Sequence, residues 1–477
     1  MYGNSFRGEA HRALKLIKDE MPIDYWLRRM KITRLLYDHE VDELSSYGLE
    51  LGELPLTLWE DESLNGLILQ CIDKLSSRVR DTPLPCGSPS SWAQRVEQFE
   101  HHSDHMAVEY LKLAVIQIIG PILQIIEQMD KTLRKGCRVS FHDNHHIFNK
   151  PHMVVTYGRR QRPRCLIHTT KTDMNISYDK LIEALDNPKT NDSGTLQVLA
   201  HIQELYSAML LNRVRYGAMT NCSQIIFVKT VFTPGNQHRL FISQPMDYDD
   251  SSRGFSTIGA LTGLILTSLG YSPKLDTGDH APPVKHEVLK QTPYGQKPIG
   301  LITISTKSPK YSSVGRTVRA LYQQDDKVYS NVYAKITNHT RNKRGAQLLQ
   351  TEYNAYSRLT ELQGSIFPLV HAYGTILHTN RILVLENAGN PVDPLNVDDD
   401  TIKEMRVLIQ ELHNHQIVHN NISLNSFLRD EQENIKIIGF THAIINALPE
   451  QCDRDWSALR KIIRHVKHIR GNLNTRI

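Results

Sequence analysis

The apolar and polar residues along the 477-residue chain follow different periods in different regions. Residues 1–95 place apolar side chains at helical spacing, as at 64–69, which predicts a mostly helical N-terminal region. From 96 to 275, an apolar helix at 111–129 precedes runs that are typical of strands. Strands followed by a helix and a further strand indicate an α/β or α+β domain over 96–275.

The helix predicted at 111–129 is close to membrane-spanning length. It contains Lys112, Pro121 and Glu127, and charged side chains are costly to bury in hydrocarbon, so we predict a core helix and no membrane partner. The strands predicted after it are 137–141, 153–157, 165–170 and 224–229, and the helices are 195–215 and 256–269.

Two segments rich in Pro, Gly and polar or charged residues interrupt these patterns. Residues 81–91 contain three prolines and a glycine and predict a first linker. Residues 276–309 predict a second linker or an extended loop. The chain is therefore expected to have an N-terminal region (1–95), a domain at 96–275, and a last domain at 310–477.

Composition changes this picture little. Fifty-six Lys and Arg against fifty-one Asp and Glu give a formal charge of +5, which over this length does not by itself imply nucleic acid or an anionic membrane. The six cysteines are dispersed without a C-x-x-C pair, so neither a zinc ribbon nor a disulfide scaffold is expected. The first residues carry no pattern of a secretory signal, and a cytoplasmic or nuclear location is expected.

The last domain carries several motifs in the order in which protein kinases have them. Lys335, in the predicted strand 332–336, matches the lysine that pairs with nucleotide phosphates, and Glu352, in the predicted helix 347–362, matches its partner. Gly315 stands where the phosphate-covering loop usually has three glycines. The region resembles a fungal protein-kinase-like family, which implies a minimal bilobal kinase-like domain.

The resemblance does not extend to the chemistry. His419 matches the catalytic loop, but Asn421 replaces the aspartate that accepts the substrate proton, and Ser426 replaces an asparagine that binds metal. Gly439 stands where the Asp-Phe-Gly motif has the aspartate that binds Mg²⁺. These degenerate positions imply a pseudokinase with no catalytic residue and no metal site. Lys335 and Glu352 remain open to two interpretations, an ion pair that orders the domain or weak ATP binding.

The domain at 96–275 has a second resemblance, carried by 150–152, by a strand ending at 169–171, and by Tyr206 and Met209 in the predicted helix, with 216–217 before the next strand. It resembles the module that precedes the kinase-like domain in the same fungal family, which is similar to the PD-(D/E)xK nucleases.

Nuclease chemistry requires two acids that hold Mg²⁺ and a lysine. His152 and Thr169 take the acidic positions, Lys171 matches the lysine, and Gln203 matches a position in the helix. A degenerate nuclease-like domain without DNA cleavage is therefore expected. A shift of the alignment by one or two residues would instead place Asp143 or Asp173 as an acid.

Two further clusters of residues have simpler interpretations than metal or phosphate binding. The histidines match no zinc spacing and are expected at the surface or at caps: His101, His102, His105, His142, His145 and His146. The arginines surround a predicted turn, where a solvated hairpin is favoured over phosphate contacts: Arg159, Arg160, Arg162 and Arg164.

The sequence therefore predicts an α+β protein with a nuclease-like module and an inactive kinase-like domain. It would act as a scaffold or regulatory binding protein for protein partners, without a required cofactor, as an accessory member of a fungal pathway. The first alternative is a divergent ATP-dependent phosphotransferase of the serine/threonine kinase type. The second is a nucleic-acid-binding protein that has kept a dead nuclease fold.

Overall fold

The computed structural model describes residues 21–30, 56–59, 61–84, 109–129, 139–142, 153–157, 162–170, 174, 176–187, 193–232, 238–271, 284–293, 295–305, 310–312 and 314–474. The chain mixes helices with strands and divides into two units, Met1–Val284 and Lys285–Ile477. None of the helices described is both long enough and apolar enough to cross a membrane.

The first unit is built on one mixed sheet in the order β1-β7-β6-β5-β4-β3-β2, with the short β8 paired to β6. Its strands are β1 (Leu56–Leu58), β2 (Val139–His142), β3 (Met153–Tyr157), β4 (Arg162–Thr169), β5 (Tyr216–Thr220), β6 (Gln224–Val231), β7 (Arg239–Ile242) and β8 (Met246–Asp247). The pairs β1–β7 and β4–β5 are parallel, and the other pairs are antiparallel.

Helices cover both faces of this sheet. They are α1 (Ile23–Arg28), α2 (Asp61–Asp73), α3 (Ser77–Arg80), α4 (Gln117–Met129), α5 (Tyr178–Asp186), α6 (Ser193–Asn212) and α7 (Thr257–Ser268). Helix α6 packs on β4, β5 and β6, while α7 packs on β4 and β5 together with α1, α2 and α4. A side-chain carbon added at Gly217 of β5 would meet Met209 and Leu205 of α6, which identifies the face of β5 that α6 covers.

The predicted N-terminal region contributes to this same core. Trp26 and Leu27 of α1 are fully buried in one cluster with Ile118 of α4 and Ile258 of α7. The described part of the predicted linker 81–91 also packs inward, because Leu84 is buried and its N–H bonds to the carbonyl of Met21. The described residues of 1–95 therefore do not form a separate region. The sequence could not show this, because helical spacing alone does not show which core a helix joins.

Most predicted elements of the first unit are confirmed, and their observed ends differ from the predicted ends by a few residues. The strand predicted at 153–157 is β3, and the helix predicted at 256–269 is α7. The membrane-length run at 111–129 is a core helix, as predicted: it contains a π-helical segment at Lys112–Ile116 and continues as α4. Five apolar residues of α4 are buried.

The second unit begins with strands that close on themselves. They are β9 (Lys285–Thr292), β10 (Gly295–Ile304), β11 (Lys310–Tyr311), β12 (Arg316–Gln324), β13 (Lys327–Asn338), β14 (Val370–Ile376) and β15 (Asn380–Leu385). Their order is β10-β9-β14-β15-β13-β12-β11, and β10 also pairs with β12. That extra pairing joins six antiparallel strands into a ring.

The prediction of a linker at 276–309 is wrong for its central part. Residues 285–304 form the β9–β10 hairpin, which pairs with β12 and β14. Gly and Pro suggested a loop, but they fall at a register shift between Pro298 and Gly300, where a strand tolerates them. The last unit therefore starts at Lys285 and not at residue 310.

The rest of the second unit is mainly helical. It contains α8 (Lys343–Arg358), α9 (Asp399–Asn414) and α10 (Asp453–Asn474), and the short strands β16 (Asn390–Pro391), β17 (Ile417–Val418), β18 (Phe427–Arg429), β19 (Ile435–Ile437) and β20 (Ile444–Ile445). Helix α8 packs on β13 and β15 and on the turn at Phe440–His442. One apolar cluster runs from Leu349 of α8 through Leu408 of α9 to Leu459 of α10.

Candidate functional site

The structure brings Lys335 and Glu352 together, as the sequence predicts. Nζ of Lys335, on β13, lies 2.6 Å from Oε1 of Glu352, on α8. The Glu352 side chain is 0% exposed and that of Lys335 is 16% exposed. Within the described residues, Oε2 of Glu352 has no hydrogen-bond partner. A buried carboxylate of this kind is stable only with its cation, so the pair fixes the position of α8 against β13.

His419 is buried in the segment that matches a catalytic loop. Its Nε2 lies 3.0 Å from the carbonyl oxygen of Ile438, and its Nδ1 lies 3.3 Å from the backbone nitrogen of Asn421. These partners require a proton on Nε2, which donates, while Nδ1 accepts. Burial lowers the pKa of His419, which favours this neutral form. Both ring nitrogens are occupied by the backbone, so His419 shapes the loop.

Three further positions, at which the resemblance predicts that catalytic groups are replaced, offer little chemistry. Asn421 is exposed and carries an amide. Ser426 is buried, and its Oγ accepts the N–H of Ser423 at 3.1 Å, so the hydroxyl is engaged in its own turn. Gly439 has a φ of 94°, and a side-chain carbon built there would have Nε2 of His419 as its nearest neighbour, at 3.9 Å. Space for a side chain exists at Gly439, but no acid occupies it.

Phe440, next to Gly439, joins the loop to helix α8. Its ring centroid lies 5.1 Å from that of His419 and 5.0 Å from that of Tyr356, with the Tyr356 ring nearly perpendicular. Such edge-to-face pairs add stability beyond their buried area. Burial, followed by the charge of Glu352, raises the pKa of Tyr356 well above its ordinary value, so this ring stays neutral. Phe440 thus packs the segment around His419 against helix α8.

Asp455, near the start of α10, is the most important residue that the sequence analysis did not identify. It is 1% exposed, and its two oxygens accept the backbone N–H groups of His419 at 2.7 Å and Asn420 at 2.9 Å. Nε2 of His413 lies 3.2 Å from the same carboxylate. Asn420 has a positive φ of 60°, a strained conformation that these bonds help to hold. In the sequence, the only indication of Asp455 is an acidic residue beside the helical pattern of the last segment.

Gly315 lies in the connection between β11 and β12, next to the strand that carries Lys335. It has a φ of 150°, and a side-chain carbon there would stand 2.2 Å from the carbonyl oxygen of Ile336. Its N–H bonds to the carbonyl of Ser312. Close approach to β13 is therefore sufficient reason for glycine at this position, independently of any phosphate.

A second ion cluster, which is largely shielded from solvent, lies at the end of β15. Nζ of Lys436 pairs with Oε1 of Glu386 and donates to the carbonyl of Gly364 at 3.0 Å. Nζ of Lys436 also lies 3.8 Å from Oδ2 of Asp430. These residues border a polar cavity of about 420 Å³. Lys436 thus ties the end of β15 to β19 and to the segment after α8.

The nuclease-like positions are described only in part. Thr169 is the last residue of β4 and Gln203 lies within α6, and both side chains are buried. His152 and Lys171 lie outside the described residues, as do Asp143 and Asp173.

The other predicted clusters are also mostly outside the described residues. Of the six histidines, only His142 is described, in β2. Of the four arginines, Arg162 and Arg164 lie in β4, which pairs with β3 as the hairpin prediction requires.

No protein-family model matches this chain, and no curated protein matches it.

Proposed function

We propose that the second unit is a catalytically inactive kinase-like module and that the protein acts by binding, as a scaffold or regulatory protein. The observation that carries this proposal is the state of three positions in residues 417–443, around the buried His419. Asn421 presents an amide, Ser426 is engaged in its own turn, and Gly439 has no side chain.

These replacements remove the two functions that phosphate transfer needs. An amide cannot accept a proton near neutral pH, so Asn421 cannot act as a general base. Mg²⁺ requires oxygen ligands, chiefly carboxylates, and it neutralises the charge of the transferring phosphate. Without an acid at Gly439 and a ligand at Ser426, the protein has no means to hold that ion in the kinase manner.

The frame that remains supports a binding role. The Lys335–Glu352 pair, the Phe440 contacts and the Asp455 bonds hold the degenerate loop in one defined shape. A scaffold of this kind presents a fixed surface to a protein partner. The resemblance alone extends the proposal to a fungal accessory protein in the cytoplasm or nucleus, with no required cofactor.

We also propose that the first unit is a degenerate nuclease-like module. The order of β3, β4, α6 and β5 supports this, as does Thr169 at the end of β4 and Gln203 within α6. A threonine hydroxyl cannot replace a carboxylate around a hard cation, so this module would not cleave DNA.

A divergent phosphotransferase is the second candidate, because one specific observation favours it. The Lys335–Glu352 pair, at 2.6 Å, is the arrangement that kinases use to position nucleotide phosphates. A residual enzyme would require a metal ligand from outside the degenerate positions.

The two candidate functions differ in whether the protein transfers phosphate from ATP. Purified full-length protein is incubated with γ-labelled ATP, a generic protein substrate and either Mg²⁺ or Mn²⁺, and transferred phosphate is counted. The binding protein is expected to transfer no more than the Lys335→Met variant. Turnover that Lys335→Met abolishes, and that the exposed-residue control Lys403→Met keeps, would overturn the proposal and favour the phosphotransferase.

A further inference from the structure

Three buried residues of the first unit place metal-binding atoms against one another. His168 lies in β4, one residue before its end, while His201 and Glu204 lie three residues apart in α6. Their exposed fractions are only 2%, 6% and 6%. Nε2 of His168 is 3.1 Å from Nδ1 of His201 and 3.8 Å from Oε2 of Glu204, and all three ligand atoms lie within 4.8 Å of one another.

The fold explains why these three side chains meet. Residues three apart in a helix share a face, so His201 and Glu204 point the same way from α6. In the parallel pair of β4 and β5, Leu166 stands beside Gly217. A side-chain carbon added at Gly217 would point toward α6, so the side chain of Leu166 points toward α6 as well. Alternate residues of a strand share a face, so His168 also faces α6. The three residues therefore lie in the layer between α6 and the sheet.

This cluster is separate from the degenerate nuclease position. Thr169 follows His168 directly in β4, so the two side chains leave opposite faces of the sheet. Ile167, on the face of Thr169, belongs to the large core with α4 and α7, whereas His168 contacts α6. A ligand at the cluster would thus not use the residues to which the nuclease resemblance assigns chemistry.

Two of the three separations between the ligand atoms are close to those around a small tetrahedral ion. Two ligand atoms about 2.0 to 2.1 Å from a zinc ion, at a tetrahedral angle, stand about 3.3 Å apart. The two measured separations of 3.1 and 3.8 Å lie on either side of that value. Two imidazoles and one carboxylate are donors that suit Zn²⁺ and related transition metals, whereas Mg²⁺ and Ca²⁺ take mainly oxygen.

Burial provides a second, independent argument for a cation. A carboxylate in the interior is costly unless a positive charge compensates it. A proton on an imidazole or a divalent ion between these three side chains would supply such a charge. Two histidines around one carboxylate give three converging ligands, more than a single ion pair requires.

We propose that His168, His201 and Glu204 form a buried site for one Zn²⁺ ion or a similar transition-metal ion. The ion joins β4 to α6, and its ligands His168 and His201 are 33 positions apart in the sequence. Its role is structural, since the three ligands are shielded from solvent. This inference does not depend on the proposed function of the second unit.

The site is tested on the full-length protein. The protein is stripped with EDTA, desalted, incubated with ZnCl₂, desalted again, and analysed for metal. The wild type is expected to retain about one zinc ion per chain more than the double variant His168→Gln/His201→Gln and the isosteric variant Glu204→Gln. The control His238→Gln removes another buried histidine of the same unit and is expected to retain as much zinc as the wild type.

A measurement on the wild type alone guards against variants that fail to fold. Zinc returned to the stripped protein is expected to raise its melting temperature by roughly 5 °C or more, and Mg²⁺ is expected to have no such effect. Cobalt in place of zinc should give the strong visible absorption of a four-coordinate site. A wild-type melting temperature that zinc leaves unchanged, or zinc contents equal in wild type and cluster variants, would overturn the proposal and leave a hydrogen-bonded cluster without metal.

Discussion

The carboxylate of Asp455 accepts the backbone N–H of His419 at 2.7 Å, across 36 positions of the chain. This bond connects the start of α10 to the loop that would carry catalysis in an active kinase. The loop is therefore held by bonds from the Asp455 carboxylate to its backbone, which do not depend on the side chains of Asn421 or Ser426.

Replacing Asp455 by Asn is expected to lower the free energy of unfolding by about 2 to 3 kcal/mol, because two charge-assisted bonds to buried N–H groups are weakened. Urea denaturation of the purified protein measures this change. Asp453→Asn is the matched control, since Asp453 is exposed in the same helix, and its effect should stay within about 0.5 kcal/mol. Equal effects of the two changes would contradict the account of the loop.

Lys436 is expected to be essential for stability. Its side chain is 7% exposed and pairs with Glu386, near Asp430. The change Lys436→Met leaves two partly buried acids without a cation and should cost about 2 to 3 kcal/mol of unfolding free energy.

The control for that measurement is Lys403→Met. Lys403 also pairs with an acid, Asp400, but its side chain is 71% exposed. Pairs at the surface contribute little, so the control should cost less than about 1 kcal/mol. A small effect of Lys436→Met, comparable to that of the control, would show that the cluster at the end of β15 is not a structural link.

The elements that the sequence predicts well are those with a strong local signal. The apolar run of β3 and the apolar helix α7 are bounded by clear turn residues, and their ends agree with the prediction within one residue. The β9–β10 hairpin was missed because its outward-facing residues are polar and Pro298 and Gly300 suggest a loop.

The candidate sites were harder to predict than the elements. Lys335 and Glu352 were found because a motif places them, and the structure confirms their contact. Asp455 and the His168 cluster had no such motif, because their partners come from distant parts of the chain. Only the packing of α10 against the loop, and of α6 against β4, shows what these residues contact.

The stability of the second unit should depend on the protonation of His419. Burial lowers the pKa of His419 below the value of about 6.5 that it has in the unfolded chain, so the unfolded chain binds the proton first as pH falls. The contribution of the neutral ring is complete above about pH 6.5 and decreases as the pH falls below that value.

Urea denaturation at about pH 7.5 and about pH 5.5 tests this dependence. The wild type is expected to lose up to about 1 kcal/mol more unfolding free energy between the two values than His419→Gln, in which the other titrating groups are the same. Identical losses in the two proteins would show that His419 does not titrate on unfolding in this range.

Under the proposed function, an acid introduced at position 439 should provide some binding of Mg²⁺ with ATP. Asp at position 439 has space, because the nearest atom to an added carbon is 3.9 Å away, and aspartate tolerates a positive φ better than most residues. Gly439→Asp is expected to show more Mg²⁺-dependent thermal stabilisation by ATP than Gly439→Ala, which has the same backbone strain without a carboxylate. Equal behaviour of the two variants would mean that this position does not face a nucleotide.

The central claim is that the chemistry of the kinase-like unit is lost while its frame is kept. The most direct test is the melting temperature of the full-length wild-type protein with ATP, with and without Mg²⁺. We expect no stabilisation that requires Mg²⁺, because neither Ser426 nor Gly439 offers a side chain that can hold the ion against the phosphates. A shift that appears only with ATP and Mg²⁺ together, and that Lys335→Met removes, would contradict the account.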